Sequence, residues 1–116
     1  VYSSGIPITM CGLDCTAMLR FETENREILK NRGLPLTDAV WACYELWPHE
    51  TPVLYDPMAI CVTIDESFCK TEMRRVVVDD EGVTKIVDGE PNVKVCTDPD
   101  VERFLDFYIE RVVQPE

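Results

Sequence analysis

The amino-terminal part of the chain opens with an apolar run that gives way to polar, helix-forming sequence. Residues 6–13 (IPITMCGL) are almost uninterrupted by polar side chains, which is typical of a strand buried on both faces of a sheet. After Thr16 the sequence is rich in helix formers, and we predict a helix that ends near Gly33. Its apolar positions are Phe21, Ile28 and Leu29.

The middle of the chain predicts two more helices. The first is expected to be capped by Thr37 and ended by Pro48. Its apolar positions recur at helical spacing, at Ala39, Val40, Cys43, Tyr44 and Trp47. A loop over residues 48–54 follows, and Asp56 and Pro57 then match an N-cap with proline at the first helical position. We predict a short apolar helix from there to Ile64.

The last third of the chain predicts three short strands and a closing helix. Residues 75–78 and 83–87 flank an acidic turn and suit a hairpin, and residues 93–96 suit another strand. Asp98 and Pro99 repeat the pattern of cap and proline. The closing helix has one apolar face, formed by Val101, Phe104, Leu105, Tyr108, Ile109 and Val112.

Alternation of strands and helices at both ends indicates an α/β fold. The 116 residues, 46% of them hydrophobic, suit a single domain over residues 1–116. The predicted strands do not make a closed sheet. We therefore expect an open sheet with flanking helices that is incomplete without amino-terminal strands from outside this sequence. Apolar surface left by those strands would favour self-association.

The charge and hydropathy of the chain exclude some partners. Its net charge of −11, from 22 acidic and 11 basic residues, repels phosphate backbones and anionic membranes. No run approaches the roughly 20 apolar residues that span a bilayer. We expect a cytoplasmic protein with neither a nucleic-acid nor a membrane partner.

The six cysteines form no CxxC pair and lie mostly in apolar segments. Zinc sites usually show paired short spacings, and His49 is the one histidine. Buried free thiols are therefore favoured over a zinc site or a disulfide scaffold.

Three strings, in order, resemble the carboxy-terminal region of the inosine-uridine preferring nucleoside hydrolases. SGIPITMCGLDCT (residues 4–16) is similar to the family's strand and Gly-Leu-Asp-x-Thr turn, and YDPMAICVTID (residues 55–65) to its His-Asp-Pro helix start. PNVKVCTDPDVERFLDFYIERV (residues 91–112) is similar to its last strand and helix.

The resemblance implies hydrolysis of the N-glycosidic bond of a ribonucleoside, with free base and ribose as products, on an open α/β fold with bound calcium. In that chemistry, calcium holds the ribose hydroxyls and the attacking water, and an aspartate accepts the water's proton. The substrate partner is a ribonucleoside in the complete enzyme.

The resemblance assigns Asp56 as a calcium ligand, although an ordinary helix N-cap would also explain an Asp-Pro pair. Tyr55 stands where many family members have the histidine that helps protonate the leaving base. A phenol keeps its proton at neutral pH and shuttles it less readily than an imidazole. His49 lies six residues earlier and would compensate only if it were not an exposed loop residue.

Tyr44 and Trp47 fall on the helix where family members carry aromatic residues near the base, but both also complete the apolar stripe of that helix. Asp14 and Thr16 match the Gly-Leu-Asp-x-Thr turn, where a structural capping role is favoured over catalysis.

The family's aspartate-rich amino-terminal loop, which supplies the other calcium ligands and the general base, has no counterpart here. We therefore expect part of a hydrolase that is inactive as the isolated chain. A non-catalytic binding or assembly module with the same fold is the alternative, and an unrelated small acidic α/β protein is the third possibility.

Overall fold

An open sheet of four strands runs through the computed structural model, which describes residues 1–115. The strands are β1 (Thr9–Met10), β2 (Cys69–Val78), β3 (Thr84–Val87) and β4 (Val93–Pro99), in the spatial order β1-β4-β2-β3. β1 pairs with β4 in parallel, and the other two pairings are antiparallel. The predicted α/β fold with an open sheet is confirmed.

Five α-helices flank this sheet within residues 1–115. They are α1 (Leu13–Thr16), α2 (Thr23–Arg32), α3 (Pro35–Glu45), α4 (Tyr55–Ile64) and α5 (Val101–Val112). A short 3₁₀ turn, Glu66–Phe68, joins α4 to β2. No helix among the described residues is long and apolar enough to cross a membrane.

The amino-terminal strand is shorter and more exposed than predicted. Of residues 6–13, only Thr9 and Met10 are in β1, and Leu13 already begins α1. Burial on both faces was a wrong prediction, because Thr9 is exposed and Met10 is only partly buried. The physical reason is that β1 lies at the edge of the sheet, where β4 is its one neighbour among residues 1–115.

The ends of α2 and α3 bear out part of the prediction. Gly33 ends α2 with a φ of 66°, a conformation that glycine adopts without strain. Leu34, not Thr37, is the N-cap of α3. Thr37 is the third helical residue, and its hydroxyl accepts a hydrogen bond of 3.0 Å from the Leu34 backbone N–H. The helix ends at Glu45, so Trp47 lies beyond it.

Both Asp-Pro pairs lie elsewhere than predicted. Leu54 is the N-cap of α4 and no side chain caps this helix, so the N-cap interpretation of Asp56 is wrong. Asp98 and Pro99 end β4, and the N-cap of α5 is Asp100, whose carboxylate accepts a 3.2 Å hydrogen bond from the Arg103 N–H. Which residue caps a helix depends on the backbone path of the segment before it. An Asp-Pro pair alone does not reveal that path.

β2 begins six residues before the predicted start and is ten residues long. Cys69 to Arg74 pair with β4, and Arg75 to Val78 pair with β3, so that β2 pairs with two partner strands in succession. The predicted hairpin is confirmed.

Two hydrophobic clusters lie on the two faces of the sheet, because alternate residues of β4 point to opposite sides. The helix-side cluster contains Cys15, Leu19, Phe21, Leu29, Leu54, Met58, Cys61, Val62, Phe68, Cys69, Cys96 and Phe104. The predicted apolar face of α5 packs against it. The valine cluster contains Val76, Val93 and Val95, covered by Tyr2, Ile8 and Met10.

Candidate functional site

Tyr55 and Asp56 form the first turn of α4. Tyr55 is the first helical residue and is half-buried, whereas Asp56 is the second and is exposed. The free N–H groups at a helix start favour a carboxylate there. The phenol and the carboxylate are thus consecutive residues in the first turn of one helix.

The segment that leads into α4 is fixed by backbone hydrogen bonds to the segment after α1. The Phe21 N–H donates to the Pro52 carbonyl at 2.8 Å, and the Leu54 N–H donates to the Leu19 carbonyl at 2.9 Å. Leu54 is buried between these contacts. The start of α4, and with it Tyr55, is therefore held in place although a loop precedes it.

His49 lies in that loop and is exposed, as the sequence suggested. The loop is attached to α2, because the Arg26 guanidinium donates to the Glu50 carbonyl at 3.2 Å. No hydrogen bond joins His49 to Tyr55 within residues 1–115.

Tyr44 is packed in an aromatic group rather than presented on the surface. Its hydroxyl lies 2.8 Å from that of Tyr108, and its ring centroid is 5.3 Å from that of Phe21. Burial, followed by the hydrogen bond to Tyr108, raises the pKa of Tyr44 well above its ordinary value. These contacts support the core-packing interpretation of this residue.

Trp47 follows α3 and is half-buried. Its backbone N–H donates to the Tyr44 carbonyl at 3.1 Å. The indole Nε1 is buried, yet it has no hydrogen-bond partner among the described residues. A buried donor without an acceptor destabilises a folded protein. The indole N–H of Trp47 is therefore suited to a hydrogen bond with a group from outside residues 1–115.

The Gly-Leu-Asp-x-Thr turn forms α1, and the capping role predicted for Asp14 is wrong. Gly12 is the N-cap without a side-chain hydrogen bond, so Asp14 does not cap this helix. Thr16 is buried, and its hydroxyl donates to the Gly12 carbonyl at 3.1 Å.

The described residues do not form a calcium site on their own. Calcium takes six to eight oxygen ligands, and residues 1–115 contain no group of three or more acidic, histidine or cysteine residues placed to hold a metal. Asp56 offers one carboxylate.

The thiols are the feature that sequence spacing missed. Four of the six cysteines are buried free thiols, as predicted, but Cys43 is exposed. The Sγ atoms of Cys11 and Cys96 lie 3.5 Å apart, and those of Cys15 and Cys69 lie 3.6 Å apart. The register of β1 and β4 brings Cys11 beside Cys96 across 85 residues of sequence, and the position of α1 brings Cys15 beside Cys69 across 54. No local sequence motif indicates either pair.

The family model of the inosine-uridine preferring nucleoside hydrolases matches residues 1–106 of the chain. The chain belongs to this family. Its recognition from three motifs is therefore confirmed, and the kinship covers the sheet, Tyr55 and Asp56.

Curated relatives of this nucleoside hydrolase chain include the pyrimidine-specific ribonucleoside hydrolases RihA of Citrobacter koseri, 28% identical, and of Salmonella arizonae, 29% identical. Each comparison covers 97% of the chain but 42% of the relative. The chain thus spans about two fifths of the length of these hydrolases.

Solved structures give the same picture. A purine-preferring ribonucleoside hydrolase from Gardnerella vaginalis matches with a TM-score of 0.78 and 25% identity. An inosine-uridine preferring nucleoside hydrolase from Bacillus anthracis matches with a TM-score of 0.79 and 26% identity. Both cover 97% of the chain, and 41% and 38% of the solved chains. A plant nucleoside hydrolase, with a TM-score of 0.85 and 20% identity, shares the fold.

Proposed function

We propose that this chain is the carboxy-terminal portion of a calcium-dependent ribonucleoside hydrolase and is inactive by itself. The complete enzyme would cleave the N-glycosidic bond to give free base and ribose. The observation that carries the proposal is the Tyr55 and Asp56 pair at the start of α4 in a chain of this family. The relatives named above are pyrimidine-specific and purine-preferring, so the proposal extends to ribonucleosides as a class.

Asp56 is the proposed calcium ligand of this chain. Its carboxylate is exposed and does not cap the helix, which leaves the oxygens free for a cation. The remaining oxygens would come from outside residues 1–115, because Asp56 alone does not fill a calcium coordination shell.

Tyr55 is the proposed hydrogen-bond donor to the departing base. As the N-glycosidic bond breaks, negative charge develops on the base, and a positioned O–H group stabilises that charge. Trp47 is proposed to contact the base through its ring and its free indole N–H. Tyr44 would position Trp47 through its backbone carbonyl, which accepts a 3.1 Å hydrogen bond from the Trp47 N–H, while the Tyr44 hydroxyl is bonded to Tyr108.

The rest of the hydrolase is the proposed cover for the open edge of β1. Ile60 and Ile64 of α4 are 62% and 61% exposed, and the groove between α4 and β1 is lined by Thr9, Cys11 and Ala59. Apolar side chains beside an edge strand favour association. The isolated chain is therefore expected to self-associate. A cytoplasmic location is part of the proposal and is supported by six thiols without a disulfide among them.

A chimera tests the proposal directly. This chain would replace the matching two fifths of the Citrobacter koseri hydrolase, and calcium binding would be measured by calorimetry beside release of base from uridine and inosine. We expect calcium binding and hydrolysis by the chimera and neither by the isolated chain. Tight calcium binding by the isolated chain would contradict the incomplete site.

Matched variants of the chimera separate the residue roles. Asp56→Asn should lower activity by at least about a hundredfold and weaken calcium binding. Asp14→Asn is the control, because Asp14 is also an exposed first-turn aspartate but lies on α1. Equal losses in the two variants would remove Asp56 from the site.

The replacement of histidine by Tyr55 favours a second candidate, a non-catalytic module that keeps the fold. The variant Tyr55→His distinguishes the two candidates in the same chimera. A catalytic origin predicts a gain in kcat of about tenfold or more, since an imidazole transfers protons more readily at neutral pH. A folded, calcium-binding chimera without hydrolysis in either form would favour the module.

A further inference from the structure

Four thiols meet where β1 gives way to α1. Cys11 directly follows β1, and the register of the parallel pair places Met10 beside Val95. Cys11 and Cys96 are therefore the next neighbours across the two strands, with their Sγ atoms 3.5 Å apart. Cys15 and Cys69 form the inner pair behind them, at 3.6 Å.

We propose that Cys11 and Cys96 are a site of reversible disulfide formation, separate from the nucleoside site. Neighbouring strands lie about 4.8 Å apart, which is within the Cα separations that disulfides span. The two sulfur atoms, now 3.5 Å apart, would have to approach by roughly 1.5 Å to reach the S–S bond length. Side-chain rotation supplies a movement of this size without displacing the strands.

Access selects Cys11, and Cys96, which is fully buried, takes part only as its neighbour. Cys11 is partly exposed and lines the groove between β1 and α4, together with Thr9 and Thr63. In the isolated chain, where nothing covers this groove, a small oxidant that enters it meets Cys11 first. Cys15 and Cys69 are only 2% and 5% exposed, so the inner pair is shielded.

Hydrogen peroxide, a small two-electron oxidant, is the oxidant class of this proposal. The Cys11 sulfur attacks the O–O bond, which breaks to leave a sulfenic acid on Cys11 and one water, formed with the thiol proton. The Cys96 sulfur then displaces the sulfenic hydroxyl, which departs as a second water with the proton of Cys96. Two thiols lose two electrons and two protons, and one peroxide becomes two waters.

The environment of the pair supports this order of events. Burial raises the pKa of both thiols. Cys11 is partly exposed whereas Cys96 is fully buried, so the oxidant reaches Cys11 first and Cys96 resolves the intermediate. Both pKa values are raised, so the reaction should be slower than that of an ordinary exposed thiol.

The bond would fix the smallest element of the sheet. β1 has two residues and pairs with β4 over those two. A covalent link between Cys11 and Cys96 would hold β1 in register and constrain the unfolded chain across 85 residues of sequence. We expect the midpoint of thermal unfolding to rise by several degrees after oxidation.

Peptide mapping of the oxidised wild-type chain tests the site. The reduced chain would be treated with hydrogen peroxide at neutral pH, blocked by alkylation and digested without reductant. Trypsin leaves Cys11 and Cys15 together in residues 1–20, so a second protease that cuts before Asp14 is needed to separate them. The expected product is a Cys11 peptide joined to a Cys96 peptide, with two hydrogen atoms lost and restored by dithiothreitol.

Two variants complete the test. Cys96→Ala should abolish the link and leave Cys11 trapped as an oxidised or alkylated single thiol. Cys43→Ser is the matched control, since Cys43 is exposed and belongs to neither pair, and it should leave the link unchanged. A first product that joins Cys15 to Cys69, or Cys43 dimers with Cys11 and Cys96 still reduced, would overturn the proposal. The wild-type map decides even if Cys96→Ala fails to fold.

Discussion

The two hydrophobic clusters differ in how they hold their parts of the chain. Twelve buried residues of the helix-side cluster come from four of the helices, the 3₁₀ turn, the strands and the loops between them. The valine cluster has three buried residues, and every residue of β3 is exposed. The first region is stabilised by apolar burial, whereas the second depends on backbone pairing and polar side chains.

Asn92 shows what replaces apolar burial around the valine cluster. Its side-chain oxygen accepts from the Val76 N–H at 2.7 Å, and its amide nitrogen donates to the carbonyls of Val76 and Tyr2, each at 3.0 Å. One side chain thus continues the pairing of β2 and attaches the amino-terminal segment. The small valine cluster is therefore held by specific hydrogen bonds, whereas the large helix-side cluster is held by the apolar side chains that it buries.

The largest effect is expected from emptying the helix-side cluster. Phe104 is fully buried, and Phe104→Ala should cost about 3–5 kcal/mol of unfolding free energy and lower the denaturant midpoint of the whole chain. The control is Phe107→Ala on the same helix, where the ring is only partly buried against Phe68. Equal losses of unfolding free energy in the two variants would contradict the expectation that a residue at the centre of the cluster contributes more than one at its rim.

A smaller and more local effect is expected at Asn92. Asn92→Ala removes three hydrogen bonds and should cost about 2 kcal/mol. Amide hydrogen exchange should speed up in β2 and β3 while α5 is unchanged. Asn92→Asp keeps one acceptor but sets a carboxylate oxygen against the carbonyls of Val76 and Tyr2, so a loss at least as large as that of Asn92→Ala is expected. A uniform change across the chain would show that the two regions are not separate in stability.

Tyr44→Phe should cost about 1 kcal/mol, because it removes one hydroxyl of the partly buried pair with Tyr108. Burial raises the pKa of both hydroxyls above the ordinary value of 10.0. A raised pKa in the folded state gives stability that is complete below the unfolded value and is lost as pH rises through the folded value. Urea midpoints above about pH 10 should therefore fall less steeply in Tyr44→Phe than in the wild type. If the urea midpoints of Tyr44→Phe and the wild type fell equally steeply with pH, the loss of stability at alkaline pH would not come from the Tyr44 hydroxyl.

The smallest effect is expected at the hairpin turn. The Asp79 carboxylate accepts from the Glu81 and Val83 N–H groups, at 3.0 and 2.9 Å, and pairs with Lys85. These contacts, that with Lys85 first, lower the pKa of Asp79. Its contribution is thus present above the ordinary aspartate pKa and is lost as pH falls through the lowered value.

Asp79→Asn keeps an acceptor for the turn and should remove only this acid sensitivity, measured by exchange of the β3 amides between neutral and acidic pH. Asp80→Asn is the neighbouring control and should behave as wild type. Unchanged acid sensitivity in Asp79→Asn would assign the effect to another group.

Local signals made the helical part of this fold predictable. The apolar face of α5 and the glycine after α2 are written into short stretches of sequence, and so is the acidic turn between β2 and β3. The start of β2 was missed because Lys70, Glu72 and Arg74 dilute its apolar pattern and its partner is distant in sequence. β1 was overestimated because an apolar run does not show how many neighbours it will have.

The candidate site also contains residues that a local motif identifies and contacts that no local motif identifies. Tyr55 and Asp56 are adjacent in sequence, so a motif identifies them together, and their roles remain proposals. The hydrogen bond between Tyr44 and Tyr108 spans 64 residues, and the two thiol pairs span 85 and 54 residues. Such contacts are set by the three-dimensional course of the chain, which no window of sequence contains.

The transfer of β2 from β4 to β3, between Arg74 and Arg75, has a mechanical consequence. A load that pulls the turn at Gly82 away from the sheet would act first on the four residue pairs of the hairpin, which open one after another like a zipper. The six pairs with β4 would bear the load only afterwards. The hairpin would therefore open at low force, and the pairing of β2 with β4 would stay intact.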